Sequence, residues 1–393
     1  MYYFTYILFG AGLGTGTQIV IGRRNGENDI HGIRDVFSNS LYISLGLSLV
    51  LFFVLFNYSV FFFNHIISSS DIRESACVFI KYRQWGILFA YTSIILRSFF
   101  IGILRTRVLL YSTLFMSAVN VFLDYALIFG KFGFPALGVG GAALASVIAE
   151  ISDLLFLTVW IFSSKRVAIY KIFHFKKADF KLFVQLIKIS GPVMLQYTFS
   201  FGGWFIFFLI IEKMGQAELA VSNIARSIYM VIMIPVWGLS NSTGSMVSNL
   251  IGNGRTYDVL RLIRKIIAIS VSATIIIILC YIFIPYDLVS LYTPNEDLIK
   301  ATVPVLYVIT VAIIFFSFSH IIFSAISGTG NTLYALAIET ATIVLYIGGA
   351  YVMGIILNKE LPVVWLVEVL YFIIIGMLSA LYFWKFNWKN IKV

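Results

Sequence analysis

The stretch Asn120–Ser146, which reads NVFLDYALIFGKFGFPALGVGGAALAS, decides how the rest of the chain is interpreted. It predicts an apolar helix, a turn rich in Gly and Pro, and a second helix of small residues that opens at Gly140. Asp124 falls in the middle of the first helix. A carboxylate at the centre of a membrane span costs about 3 kcal/mol, so it is expected to face a cavity or the bundle interior and to bind a proton or an ion. Asn120 lies one turn earlier on the same face, so the pair offers oxygen ligands suited to a proton or a hard cation.

The composition indicates an all-α polytopic membrane protein. Of 393 residues, 60% are apolar and 12% are charged, and the mean hydropathy is +0.95. Apolar runs long enough to cross a bilayer predict about eleven transmembrane helices. They cover residues 2–22, 36–56, 85–103, 109–130, 138–162, 189–211, 219–247, 262–284, 303–325, 333–356 and 362–384. The third is the weakest of these predictions, because Lys81, Arg83 and Arg97 crowd it.

The positive charge is concentrated in the loops on one side of the predicted bundle, above all at residues 163–188. This bias predicts that these loops and the C-terminus are cytoplasmic. Basic loops beside anionic lipid explain the net charge of +10, and no nucleic-acid partner is expected. Cys77 and Cys280 are isolated and the four histidines form no i, i+4 pair, so neither a metal site nor a cofactor is expected. The sequence also has no recognisable Ser/His/Asp arrangement or phosphate loop, which argues against an enzyme and an ATP-driven pump.

Two short matches indicate a duplicated half. Residues 15–26 align with residues 243–254 at a shift of 228, and residues 100–111 align with residues 323–334 at a shift of 223. The paired segments have the same orientation, so the repeat is parallel and predicts two pseudo-symmetric bundles that flank a central cleft. The predicted domains are an N-terminal lobe of five spans at 1–163, a basic cytoplasmic linker at 164–188, and a C-terminal lobe of six spans at 189–393.

The same repeat predicts that the first lobe lacks its opening helix. The span at 189–211 precedes the repeated helix of the second lobe, and its counterpart would lie 39 residues before the start of the numbering (189 − 228 = −39). Eleven spans with a cytoplasmic C-terminus would also leave the N-terminus outside, with no signal peptide to take it there. We therefore expect a truncated chain or a misassigned Met1, and a genuine eleven-span protein is the alternative.

Three motifs carry a resemblance to a known family. They are LDYALIFG at 123–130 followed by PALGVGGAALAS at 135–146, TGTQIVIGRRNGE at 15–27, and GTGNT at 328–332. Together they resemble the multidrug and toxic compound extrusion (MATE) family. The resemblance implies a twelve-helix antiporter of two lobes, which exchanges H⁺ or Na⁺ for cationic amphipathic compounds. It also implies a bacterial inner membrane location, with the lipid bilayer and small organic cations as partners, and a monomer is expected.

The resemblance also assigns residues to a coupling site in the first lobe. Asp124 and Asn120 match the cation site on the family's fifth helix, and Ser146 falls where the following helix often has Thr. Glu150 is a possible second carboxylate, with a role near the membrane boundary as the alternative. For Asp124 the alternative is an ion pair with Arg97 or a cap on a broken helix. The acid that the family carries on its first helix would lie in the missing segment.

In the second lobe, the acids that some members carry on the seventh and tenth helices are absent. Gln196 and Ser200 are polar residues left there, and Trp204 offers an aromatic face to a flat cation, so these three are candidates for a substrate cavity. Glu339 and Glu368 are single acids on the last two spans and are expected to make interhelical hydrogen bonds.

Two rival functions remain at this stage. A lipid-linked saccharide flippase of the same superfamily would need a cationic cavity for pyrophosphate, and only Arg97 and Arg226 lie within spans. Arg226 is also a candidate to neutralise Glu339 or Glu368. An inactive truncated paralogue is the other rival, and it would gain support if Asp124 were dispensable and no solute were transported.

Overall fold

The computed structural model describes residues 2–391, and Met1, Lys392 and Val393 lie outside it. The described residues form helices and connecting turns without a strand, which confirms the predicted all-α fold. The α-helices are α1 Tyr2–Gly26, α2 Ile30–Ile66, α3 Ser70–Arg83, α4 Gly86–Gly102, α5 Arg107–Phe129, α6 Val139–Ser163, α7 Lys165–Ala168, α8 Phe180–Met214, α9 Gln216–Gly252, α10 Val259–Tyr281, α11 Pro285–Ser290, α12 Glu296–Thr329, α13 Thr332–Tyr351 and α14 Leu361–Lys385. Short 3₁₀ turns cover Thr256–Asp258 and Trp388–Asn390, and a π-helical turn at Val352–Ile356 extends α13.

Within residues 2–391, ten helices are long and apolar enough to cross a membrane, and α3 with α4 makes an eleventh if the bent pair is one span. The two are bent by 53° at a break formed by Gln84 and Trp85. The prediction of about eleven spans therefore agrees with these ten helices and the bent pair. The third prediction matches α4 alone, because Lys81 and Arg83 interrupt the apolar run and belong to α3.

The chain divides into two compact units, Met1–Met194 and Leu195–Val393, which repeat one packing pattern. In the first unit, α4 packs against α1, α2 and α6, and α5 packs against α6. In the second unit, α12 packs against α9, α10 and α14, and α13 packs against α14. The repeat seen in the sequence therefore pairs α1 with α9 and α4 with α12, and the two pseudo-symmetric bundles are confirmed. The unit boundary falls inside α8, and the predicted linker at 164–188 stays a prediction.

Glycines allow the central helices of both units to approach closely. A Cβ at Gly328 of α12 would lie 2.4 Å from the carbonyl oxygen of Gly244 on α9. In the first unit, a Cβ at Gly102 of α4 would lie 2.5 Å from Cγ2 of Ile21 on α1. Contacts of this kind hold helices together in lipid, where apolar burial alone does not favour association. Gly244 belongs to the repeated segment, so packing accounts for at least this part of the sequence match.

The stretch Asn120–Ser146 contains the tight turn that joins α5 to α6. The first helix ends at Gly130 in a left-handed conformation with φ +66°, which glycine adopts without strain. The chain then turns back, and the Leu137 N–H donates to the Leu127 carbonyl oxygen at 2.8 Å. A Cβ at Gly141 would lie 2.5 Å from that same oxygen. A residue without a side chain at position 141 therefore allows the start of α6 to contact the end of α5.

Candidate functional site

Asp124 lies half-buried on α5, five residues before the end of the helix and inside a candidate span. Its carboxylate has neither a hydrogen bond nor an ion pair to any other residue among those that the structure describes. One turn earlier, Nδ2 of Asn120 is buried and also lacks a hydrogen-bond partner within residues 2–391. A buried polar atom without a partner costs about 1–3 kcal/mol. Two neighbouring side chains with unmet hydrogen bonds are the pattern of a site completed by a proton, a cation or water.

Arg97 does not neutralise Asp124. Its Nε and one terminal nitrogen donate to the two carboxylate oxygens of Asp153 on α6, at 3.0 and 2.7 Å. The other terminal nitrogen donates to Oγ1 of Thr113 on α5, at 3.2 Å. The alternative in which Asp124 pairs with Arg97 is therefore wrong. The Asp153 side chain is only 2% exposed, so this ion pair ties α4 to α6 inside the bundle.

The other two predicted residues of the first unit lie on α6. The half-buried Ser146 donates its hydroxyl to the Ala142 carbonyl oxygen at 3.0 Å, one turn back on the same helix. Both oxygens of Glu150 accept from Arg83 of α3, one of them at 2.8 Å. The Arg83 guanidinium also lies 4.1 Å from the centre of the Tyr3 ring. A second coupling role for Glu150 stays a prediction, and in this state its contacts fix α3 against α6.

In the second unit, Ser200 lies next to an acid that is distant from it in the sequence. Its hydroxyl lies within hydrogen-bond distance of Oε1 of Glu339 and of the Gln196 carbonyl oxygen, the latter at 2.9 Å. Tyr371 donates its hydroxyl to the same Glu339 oxygen at 2.7 Å. Glu339 is 2% exposed, and it links α8, α13 and α14 as the interhelical hydrogen-bonding prediction required. Gln196 is 6% exposed, and its Oε1 is buried without a partner in the described part of the chain.

Glu368 of α14 repeats this arrangement with another hydroxyl. It is 5% exposed and accepts from the Tyr229 hydroxyl of α9 at 2.9 Å. Neither Glu368 nor Glu339 has a basic partner among residues 2–391. Sequence reasoning missed the tyrosine donors. Tyr371 binds Glu339 of α13 and Tyr229 binds Glu368 of α14, so each contact joins two helices and no spacing within the sequence pointed to it.

Trp204 is half-buried on α8, and the positively charged side chain of Arg226 lies beside it. The guanidinium carbon of Arg226 on α9 lies over the Trp204 ring at 5.7 Å and over the Phe208 ring at 5.0 Å from the centroids. No carboxylate of the described chain forms an ion pair with Arg226. The expectation that it neutralises Glu339 or Glu368 is therefore wrong.

Comparison with known proteins agrees with this architecture. The model of the MatE family matches residues 1–126 and 192–352, which is more than half of the chain and includes a segment in each compact unit. The chain belongs to the MATE family. It is therefore a multi-pass membrane protein of a transporter family, as the motifs of α1, the α5–α6 hairpin and α12 predicted.

Individual relatives are distant in sequence and close in fold. A probable multidrug resistance protein NorM of Thermotoga maritima is 24% identical over 380 residues, which cover 95% of this MATE chain and 81% of that protein. The multidrug resistance protein NorM of Vibrio cholerae is 28% identical over 253 residues, covering 63% of this chain and 53% of that one. The solved structure of a MOP superfamily transporter from Pyrococcus furiosus superposes with a TM-score of 0.89 at 20% identity, over 97% of this chain and 84% of that chain. This structural likeness establishes the fold.

Proposed function

We propose that this MATE family member is a secondary active efflux antiporter, and not an enzyme. It would exchange H⁺ or Na⁺ for cationic amphipathic compounds. The relatives named as multidrug resistance proteins support this class of substrate. The observation that carries the proposal is the Asp124 carboxylate on the apolar helix α5, without a partner in residues 2–391 and one turn from the Asn120 amide nitrogen, which also has no partner there.

The proposed coupling chemistry follows from that arrangement. A carboxylate that takes up a proton or Na⁺ changes its charge, and the amide oxygen of Asn120 is a further ligand for a hard cation. Ser146 would add a hydroxyl from α6, which packs directly on α5. An ion that binds Asp124 more tightly in one conformation than in another shifts the equilibrium between them, and this shift transfers the energy of the gradient to the drug.

We further propose a bacterial inner membrane location, a cytoplasmic C-terminus and a monomeric transporter with no resident cofactor. The basic loops, above all residues 163–188, support this orientation. The flippase alternative loses support, because the charge of Arg97 is neutralised by Asp153 and is not available to pyrophosphate. The rival reading of an inactive paralogue is tested by the experiment below.

The test is efflux of a fluorescent organic cation from proteoliposomes that contain this chain, under an imposed pH gradient and then an Na⁺ gradient. We expect one gradient to drive efflux in the wild type, and Asp124→Asn to reduce the rate to that of empty liposomes. The matched control is Asp287→Asn, which removes the same charge from an exposed position on α11 and should transport normally. Unchanged efflux from Asp124→Asn would refute the assigned role of Asp124, and no efflux from the wild type under either gradient would refute the antiporter.

A further inference from the structure

The segment at residues 164–188, which joins α6 to the apolar part of α8, carries a dense positive charge that the coupling chemistry does not use. It contains seven Lys or Arg and a single acid, Asp179. All seven basic side chains are exposed. Within residues 2–391, Lys176 is the one that forms an ion pair, with Asp35 at 3.1 Å. Most of this charge is therefore not neutralised by the part of the chain that the structure describes.

Contacts with the first unit hold this segment in place. Val167 is 2% exposed and anchors its first turn in the bundle. The Tyr42 hydroxyl of α2 donates to the Lys176 carbonyl oxygen at 2.8 Å. The backbone N–H of Asp179 donates to Oδ1 of Asn39, also on α2, at 3.0 Å. The positive charges thus have fixed positions on the surface of the first unit.

Large apolar side chains are exposed among these charges. Phe180 and Phe183, in the first turn of α8, are 77% and 38% exposed. Their rings lie parallel to within 5°, with centroids 6.3 Å apart, so the pair forms one aromatic surface. Lys181 lies between them in the sequence and Lys177 precedes them. Exposed aromatic rings beside basic side chains are typical of a surface that lies in the interface of a bilayer.

The length of α8 places this surface at the edge of the bilayer. Residues 189–211 form a run of 23 residues without a charged side chain, bounded by Lys188 and Glu212. In a helix this run extends about 34 Å, which is close to the thickness of the hydrocarbon core. The part of α8 from Phe180 to Lys188 therefore lies outside the core, where lipid headgroups are found.

We propose that the segment 164–188 is a binding surface for anionic phospholipids. Its basic groups would bind headgroup phosphates, and Phe180 and Phe183 would lie against the adjoining part of the lipid. A cluster of four to eight Lys or Arg beside a membrane helix attracts anionic lipid, and each charge contributes about 1 kcal/mol. A charge bias that only orients the chain needs neither fixed positions nor exposed rings. The inference goes beyond the proposed efflux function and does not depend on it.

The experiment is native mass spectrometry of the purified full chain in a neutral detergent, which resolves individual bound lipids. The chain is titrated with dioleoyl phosphatidylglycerol or with dioleoyl phosphatidylcholine, which has the same acyl chains and no net charge. We expect wild type to bind the first phosphatidylglycerol at least about fivefold more tightly, the factor that one surface charge contributes. In Lys177→Gln/Lys181→Gln/Lys188→Gln, which removes three exposed charges, this preference should fall below about twofold.

Two further variants separate this surface from general surface charge. Arg261→Gln/Arg264→Gln/Lys265→Gln removes three exposed charges from α10, at positions with no aromatic residue among them, and should keep the preference. Phe180→Ser/Phe183→Ser removes the rings and keeps every charge. It should weaken the binding of both lipids several-fold and leave the preference between them unchanged.

Each outcome decides the proposal. Equal affinity of wild type for the two lipids would overturn it, as would an unchanged preference in the lysine variant. An equal loss of preference in the α10 variant would also overturn it, since general surface charge would then explain the binding. If excess inorganic phosphate abolished the preference, the surface would bind free anions and not lipid. Unchanged affinities in the phenylalanine variant would refute the role of the rings. Binding is measured without an ion gradient, so absent efflux would refute the proposed function and leave this result intact.

Discussion

The acids inside the spans of the two units differ in their burial and in whether other side chains bind them. In the second unit, Glu339 and Glu368 are buried almost completely, and hydroxyl groups from other helices donate to both. In the first unit, Asp153 is equally buried and is bound by Arg97. Asp124 alone among these four is half-exposed and lacks a partner in residues 2–391. Acids with partners hold helices together, and an acid kept without one is available to bind an ion.

The largest effect on stability is expected from Asp153→Asn. Removing one member of a buried ion pair leaves the other charge uncompensated, which costs about 3 kcal/mol of the free energy of unfolding. Denaturant titration of the purified protein measures this loss. The double variant Arg97→Gln/Asp153→Asn removes both charges and should recover much of it. A loss below about 1 kcal/mol in the single variant would show that the pair does not stabilise the fold. Asp153 could then no longer be contrasted with Asp124 as an acid that holds helices together.

A smaller effect is expected at Glu339. Replacement by Leu removes the acceptor of the buried Tyr371 hydroxyl and one of the two acceptors of the Ser200 hydroxyl, and should cost about 2 kcal/mol. Glu339→Gln keeps an acceptor oxygen for them and should cost about 0.6 kcal/mol, the average of a hydrogen bond between membrane helices. The same denaturant titration compares the two. Equal losses would mean that the hydrogen bonds do not stabilise the packing of α8, α13 and α14.

Much of the fold could be predicted because apolar runs and the repeat are local patterns. Each predicted span is a helix, and the repeat at 15–26 and 243–254 identified α1 and α9 as equivalent. The break between α3 and α4 was visible only as a cluster of basic residues, since neither Gln84 nor Trp85 marks a bend by its own propensity.

The partners of the charged side chains were not predictable in the same way. The sequence suggested Asp124 of α5 as a partner of Arg97, but Arg97 binds Asp153 of α6, a choice that depends on how α4 is rotated against its neighbours. The hydroxyls that bind Glu339 come from α8 and α14, far away in sequence. Asp124 was identified because its depth in an apolar run is itself a local signal. The function of that site stays a prediction.

Asp124→Asn is expected to have the smallest effect on stability, although its expected effect on transport is the largest. Asp124 has no partner to lose within the described chain, and an amide of the same shape removes only a charge from a half-exposed position, so Asp124→Asn should change the free energy of unfolding by less than about 0.5 kcal/mol. Denaturant titration of this variant beside Asp153→Asn checks the contrast directly. If Asp124→Asn lowered the free energy of unfolding about as much as Asp153→Asn does, the Asp124 carboxylate would be shown to support the fold. A loss of efflux could then no longer be attributed to coupling. Unchanged stability together with abolished efflux would leave ion binding as the role of the carboxylate, because no structural contact would have been removed.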